Sequence, residues 1–442
     1  MSGPRFALRP GPAELPRTAE VVVIGGGPAG TAVLWALERA APGLRTVLIE
    51  RAEGLAAGSS LASLEQYRTC WPAPCLARQM MRGVEVFHQA DEYLGEGASR
   101  ALALREQGYL YCAFSARQAE ALAADVAHLH RMGLRHVAYL DADEVAYRYP
   151  WLGGRVRVAK FDPLAGWLDS NALVHAYARS ARGATILLGV DTVRITVRGG
   201  RVTGVSTPNG DIAAPNVVIA AGAGSRQVGR TAGVEVPVVL RPRQSFTTAW
   251  RHAAFPQDAP VLIGTAPYPH GRPEARSGAI FAWEYAWNSK RARPGRAEDH
   301  LVDAVWPVER LKDPRFPSLT LALLARQFGH AAGEGFADPR YLRGVQHNIG
   351  YYVYRAPSNA YRVLADGSRQ PYASQRAILG PWPGLGGLFL SVAHVGHGIM
   401  ASPASGEILA AHILGRDLPD PAYADFALDV PWVAHDAGGL GG

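Results

Sequence analysis

The most regular pattern of apolar and polar positions lies near the start of the chain, where AEVVVIGGGPAGTAVLWALERAAPGLRTVLIER runs from Ala19 to Arg51. Val21, Val22, Val23 and Ile24 form an unbroken β-branched run, the pattern of a parallel strand buried on both faces. Past a glycine break, Ala32, Leu34, Leu37 and Ala40 predict a helix, and Thr46 to Ile49 predict a second buried strand. Helical spacing returns over Leu76–Leu94 and Ala116–Met132, broken by Gly95, Gly97 and Gly108, with a strand expected at Tyr109–Phe114. Asp169-Ser170-Asn171 opens a helix running to Ala181, with Asp or Ser as its cap. Short strands are expected at Thr185–Leu188, Val193–Val197, Arg201–Ser206 and Ile212–Ala213, divided by turns at Gly199-Gly200 and Asn209-Gly210.

Three of the expected strands end in small residues. The first ends at Gly25. The second, VVIAAGAGS, ends at Ser225, and the third, Gly387-Leu-Phe-Leu-Ser-Val, runs on into His394-Val-Gly-His-Gly-Ile399 and a helix over Ser405–Leu414 that Gly415 stops. Small residues at a strand end let backbone come close to a ligand. Between the last two, Val236 to about Ile349 is aromatic and proline-rich. Strands are expected there at Leu240–Trp250 and Gly278–Tyr285, and helices at Trp306–Leu311 and Leu319–Phe328, making this stretch the candidate for shaping a substrate cavity.

Composition narrows the class. The chain has 442 residues, 48% hydrophobic and 19% charged, which describes a globular protein long enough for two cores. The net charge of +7 comes mainly from arginines scattered along the sequence, a mild attraction for anionic ligands rather than a nucleic-acid patch. Cys70, Cys75 and Cys112 form no CxxC pair and no disulfide framework, which fits a cytoplasmic location. His128 and His130 stand two apart on an expected polar helix face, and no metal site is expected. No run reaches the length of a membrane span, and residues 1–17 and 421–442 read as terminal arms.

The chemistry starts at Gly25, Gly27 and Gly30, spaced as G-x-G-x-x-G between a strand and a helix. The first permits the tight turn, the second lets backbone approach a pyrophosphate, and the third lets helix and strand pack closely. Pro28 and Ala29 occupy the first helical turn, whose free amides face an anion. Glu50 follows Gly30 by 20 residues, where a carboxylate accepts from ribose hydroxyls. These residues predict a site for the ADP half of an adenine dinucleotide. The loop Gly54-Leu-Ala-Ala-Gly-Ser-Ser60 reads equally as an ordinary surface turn or as a close approach to a ring or diphosphate.

From about Glu20 to Gly415 the chain resembles the D-amino-acid oxidase and sarcosine oxidase superfamily of FAD-dependent amine oxidoreductases, and within it the sarcosine-dehydrogenase-like branch. GGGPAG with Glu50-Arg51, Ala57-Gly-Ser-Ser60, VVIAAGAGS and the His394–Ile399 segment carry the resemblance, with Gly166-Trp-Leu-Asp169 a softer match and Gly350-Tyr-Tyr-Val-Tyr354 pointing to the branch. It implies an α/β fold. A Rossmann-like FAD-binding domain of the glutathione-reductase type (18–75, 155–235 and 383–420) interleaves with an α+β substrate domain on a mixed or antiparallel sheet (76–154 and 236–382). FAD would be held by Gly25, Gly27, Pro28, Ala29, Gly30, Glu50 and Arg51, by Ser59 and Ser60, by Val193 at the adenine, by Ala221 and Gly222, and by Gly396, His397, Gly398 and Ile399 at the flavin.

The resemblance also implies hydride loss from a carbon next to nitrogen, giving an imine, with oxygen or another electron acceptor completing the cycle. Arg68 stands where sarcosine oxidases place a carboxylate-binding arginine; it reads equally as a surface ion-pair residue. Tyr352, Arg355 and His394 are the other candidates near the reacting atoms, although one tyrosine of the strand is expected in the core and His394 and His397 also read as plain turn residues. Leu61 takes the place of a flavin-linking histidine and Gly350 to Pro381 holds no cysteine, so the FAD is expected to be non-covalent. Ala356 to Tyr372 replaces a shorter family segment, which suggests a larger or unusual amine substrate, and Lys290 is a weakly placed oxygen-activating lysine. Oxidase, dehydrogenase and non-catalytic FAD-binding scaffold remain distinct readings.

Overall fold

The computed structural model describes residues 3–191, 193–283, 301–355, 361–363, 369–371 and 375–430. Lys290, most of the Ala356–Tyr372 segment and the Gly-rich tail lie outside the described residues.

Two large sheets organise the described chain. The first has seven strands in the order Arg5–Leu8, Ala184–Leu188, Thr46–Ile49, Val21–Ile24, Asn216–Ile219, Leu388–Val392 and Ile378–Pro381. Every pair in it is parallel except the last. Val21–Ile24 and Thr46–Ile49 are buried throughout, as their unbroken apolar runs require of strands covered on both faces. Val217 pairs with both Val22 and Leu388, so the three strands that end in small residues lie side by side and finish at one edge. This is the carboxyl edge of a parallel sheet, where ligands of open α/β folds bind.

The second sheet has eight strands and is mostly antiparallel. Its longest pair, Val238–Thr248 against Gln346–Arg355, sets Arg241 opposite Tyr352 and Arg243 opposite Gly350. Val158–Asp162 belongs to this second sheet and Ile378–Pro381 to the first, so sheet membership moves two of the expected segment boundaries.

Helix Pro28–Ala40 begins with Pro28 at its first turn and packs between helices Gly398–Leu414 and Ser170–Ser180. A Cβ on Gly406 would lie 2.3 Å from the Ala32 carbonyl oxygen, and one on Gly83 would lie 2.1 Å from that of Met400. Backbone on backbone cannot yield as a side chain does, so Gly406→Ala is expected to cost about 1–3 kcal/mol by overpacking and to lower the thermal midpoint in a scanning-calorimetry run.

The structure corrects three expectations drawn from local pattern. Arg5–Leu8 is no loose arm but the edge strand of the first sheet, paired in parallel with Ala184–Leu188. Pro421–Phe426 forms a short 3-10 turn whose Tyr423 and Phe426 are buried, because two aromatics so close together find a place in the main core. His128 and His130 do not form a solvated face: each Nε2 is bonded to a backbone carbonyl, of Pro72 at 2.9 Å and Val137 at 2.7 Å. Among the described residues there is no cluster of three or more metal-ligating side chains and no helix long and apolar enough to cross a membrane.

Candidate active site

Gly25, with φ +119°, turns the chain out of the first strand against Ala220, whose carbonyl oxygen would stand 2.3 Å from an added Cβ. At Gly30 an added Cβ would meet the Gly25 carbonyl oxygen at 2.0 Å, which fixes how closely the helix approaches the strand. Gly27 and Gly222 face open space instead. Glu50 ends its strand with Oε2 accepting from the Gly26 amide at 2.6 Å and Oε1 from the Ala52 amide at 2.7 Å. Those bonds orient the carboxylate and leave each oxygen a second lone pair. Exposed Arg51 lies over the Trp306 ring, 4.4 Å from its centroid. Val193 is partly buried against the core beneath the sheet edge.

The reacting end is a separate place. A cavity of about 420 Å³ lies against the second sheet and the start of helix Gly398–Leu414, lined by Ser59, Arg68, Trp71, Tyr352, His397 and Ile399 among others. Ser59 is tied to its wall, since its Oγ accepts from the Tyr351 amide at 3.0 Å. The turn leading into helix Gly398–Leu414 passes through Ala393 and Val395, both with positive φ (63° and 51°). Non-glycine residues held there signal a constrained turn, and such strain gathers at functional sites. Gly396 has no Cβ because the Tyr352 ring occupies that space, 2.3 Å from where it would be.

Arg68 is the most informative side chain in this wall. Its guanidinium sits 4.3 Å from the Trp71 ring centroid and 5.7 Å from that of Tyr109. Among the described residues no carboxylate pairs with it. The backbone just after it is pinned by Asp162, a fully buried residue whose Oδ2 accepts from the Thr69 amide (2.7 Å), the Thr69 hydroxyl (2.9 Å) and the Cys70 amide (3.2 Å). A buried guanidinium with no carboxylate partner among the described residues can accept an anionic ligand through charge-assisted bonds.

Other expected residues are placed differently. Arg355 is buried and donates to the carbonyls of Leu428 and Val430 at 2.8 and 2.9 Å; it does not line the cavity. The strand explains this, because successive side chains alternate and Arg355 faces away from Tyr352 and Tyr354. His394 does not line the cavity either. Its Nε2 lies 3.2 Å from the Ser391 hydroxyl, and burial lowers its pKa to about 4. The cavity adds residues that local reading passed over: Gln66, Trp71, Tyr109, Arg241, Arg243 and His270. Of these only the arginines left a signal, two apart on an expected strand and therefore on one face. Their rings are supplied by the neighbouring strand, with Arg241 5.2 Å from the Tyr354 centroid and Arg243 5.3 Å from that of Tyr352.

Comparison with known proteins gives this geometry its context. Residues 20–412 match the family described as DAO, FAD dependent oxidoreductase. The tRNA 5-methylaminomethyl-2-thiouridine biosynthesis bifunctional protein MnmC of Pseudomonas aeruginosa is 30% identical over 430 residues, covering 95% of this chain but 60% of that protein. Among solved structures, L-proline dehydrogenase from P. horikoshii superposes with a TM-score of 0.70 at 19% identity, covering 93% of this chain and 97% of the other. Glycine oxidase from Geobacillus kaustophilus gives 0.69 at 18% identity, covering 95% and 100%.

The residues present fit the cofactor of that family. A close-packed glycine turn with open space at Gly27 and Gly222, an oriented acid at Glu50 and a long helix N-terminus at Pro28 suit a dinucleotide diphosphate and ribose. Leu61, where the resemblance would place a flavin-linking histidine, carries no nucleophile and is 65% exposed, and burial pushes the Cys70 thiol up to about 11. All flavin is therefore expected in the supernatant after acid precipitation, and flavin held in the pellet would contradict this.

Proposed function

This chain belongs to the DAO family of FAD-dependent oxidoreductases, and on that premise we propose that it oxidises the C–N bond of an amino acid or a carboxylate-bearing secondary or cyclic amine to an imine. The observation that carries the proposal is Arg68, a cation in the cavity wall with an aromatic platform and, among the described residues, no carboxylate partner. A planar guanidinium binds carboxylate through two parallel bonds, which fixes the substrate's orientation as well as its position.

Gly25, Gly27, Gly30 and Glu50 would hold the ADP half of FAD, and the turn from Gly396 to Ile399 would face the flavin. Bound FAD supplies a two-electron acceptor for the hydride of the carbon next to nitrogen. The protein's own part is orientation and exclusion of water. Arg68 anchors the carboxylate, Asp162 holds the segment that carries Arg68, and Trp71, Tyr109, Tyr352 and Tyr354 make the wall aromatic. The N-terminus of helix Gly398–Leu414 directs a positive dipole end toward the same side, suited to charge that develops as electrons arrive.

The test is anaerobic mixing of FAD-loaded protein with a panel of N-methyl, cyclic and primary amino acids. Bleaching of the flavin spectrum by at least one carboxylate-bearing amine is expected, and re-admitted oxygen or a dye then distinguishes oxidase from dehydrogenase. A panel with no bleaching favours the non-catalytic FAD-binding reading.

A second reading has one observation behind it. The 30% identity with a protein named for an aminomethyl-uridine of tRNA extends over 95% of this chain. On that reading the amine is carried by RNA, and a tRNA bearing an aminomethyl-substituted thiouridine bleaches the flavin where free amino acids do not.

A further inference from the structure

We infer that the His397 side chain is the proton acceptor for the substrate's ammonium group, an inference that rests on the carboxylate-amine reading above. An amino acid at neutral pH carries its nitrogen protonated, and an ammonium has no lone pair to form the second bond of an imine. Such a substrate either binds as its minor free amine or gives up a proton to a base beside the nitrogen. The step proposed is a proton transfer alone: an N–H bond of the ammonium breaks, an Nε2–H bond forms, the positive charge passes to the imidazole, and no electron is exchanged.

The location comes from Trp71. Its ring lies 4.3 Å from the Arg68 guanidinium and 4.7 Å from the His397 ring, so both side chains pack on one indole. In an α-amino acid the nitrogen is one carbon from the carboxylate, and its base must therefore stand beside the carboxylate's partner. His397 lines the cavity, is 2% exposed, and its Nε2 has no hydrogen-bond partner among the described residues. Of the neighbours acting on the ring, the Gln375 backbone favours its protonated form. In the tautomer that carries its hydrogen on Nδ1, the unpartnered Nε2 is the lone-pair acceptor.

The ring is also kept neutral, as a waiting base must be. Burial, then the neighbouring His394 and Arg68, hold its pKa well below the usual histidine value. Its position as the cap of helix Gly398–Leu414 acts in the same direction, because a helix N-terminus disfavours positive charge. Competing bases in the cavity are already committed. Glu65 accepts the Ser170 amide and hydroxyl at one oxygen and faces Arg272 at the other. His270 bonds the Tyr268 carbonyl through Nδ1 and is engaged further.

Two flat carboxylates test this without turnover. Pyrrole-2-carboxylate presents a ring N–H donor next to its carboxylate, and furan-2-carboxylate presents an oxygen there. By calorimetry on FAD-loaded protein, the pyrrole is expected to bind about 10-fold more tightly, the worth of one hydrogen bond to a buried acceptor. His397→Leu should bring the two affinities together, and His397→Asn, whose amide oxygen can accept, should restore a preference. If the leucine variant fails to hold FAD, His397→Met is read in its place. Equal affinities in the unaltered protein, or a preference that survives in the apolar variant, overturn the assignment while leaving the carboxylate reading intact. Binding of neither compound removes the carboxylate reading and the assignment with it.

Discussion

Replacing Arg68 by glutamine is expected to lower kcat/KM for a carboxylate-bearing amine by about 100- to 1,000-fold, most of it in KM, with FAD content unchanged. The range lies inside the roughly 2–5 kcal/mol lost when one member of a buried, hydrogen-bonded charge pair is removed. Glutamine keeps much of the volume above Trp71 and Tyr109 but neither the charge nor the fork. Steady-state kinetics with the amine and with its carboxamide separate the causes. The amide should respond little to the substitution, and an equal loss on both would mean that Arg68 shapes the cavity rather than binding an anion.

The second large effect is expected at the other end of the cofactor. Gly30→Val places a Cβ 2.0 Å from the Gly25 carbonyl oxygen, and valine's branches enlarge the clash. Helix Pro28–Ala40 must then lift from the strand, and the turn that receives the diphosphate moves with it. The purified variant is expected to be colourless, with a flavin-to-protein ratio near zero and a reduced thermal midpoint. Gly27 is different, since its Cβ direction is open. Gly27→Ala should therefore fold with an undisturbed midpoint and yet bind FAD more weakly, because the added methyl occupies ligand space. Equal flavin content in both variants and the parent protein would mean that this turn does not hold the cofactor.

The sequence made the dinucleotide end legible because its determinants are local. A buried strand, a glycine turn, a helix and an acid lie within Glu20–Arg51, and each fixes its own backbone. Asp169 as the cap of its helix and the Asn209-Gly210 turn between two paired strands were legible for the same reason. The edge strand Arg5–Leu8 was not, because only its partner Ala184–Leu188, distant in sequence, makes it a strand. The cavity was legible only in part. Arg68 and Tyr352 could be named, but Trp71, which joins Arg68 to His397, follows no motif, and the Asp162 clamp on Thr69 and Cys70 joins segments 93 and 92 residues apart. Arg355 shows the opposite error: it was grouped with Tyr352 by proximity in sequence, while strand alternation sends it to the other face.

On the proposed function a carboxylate-bearing amine meets FAD in the cavity beside Arg68. The most direct test is anaerobic stopped-flow of the FAD-loaded protein against one reactive amino acid, its carboxamide, and the Arg68→Gln variant. Rapid flavin bleaching by the amino acid is expected, with slow or weakly saturating reduction in the other two combinations. Equally fast reduction of the parent and variant proteins by the amino acid would contradict the proposed function.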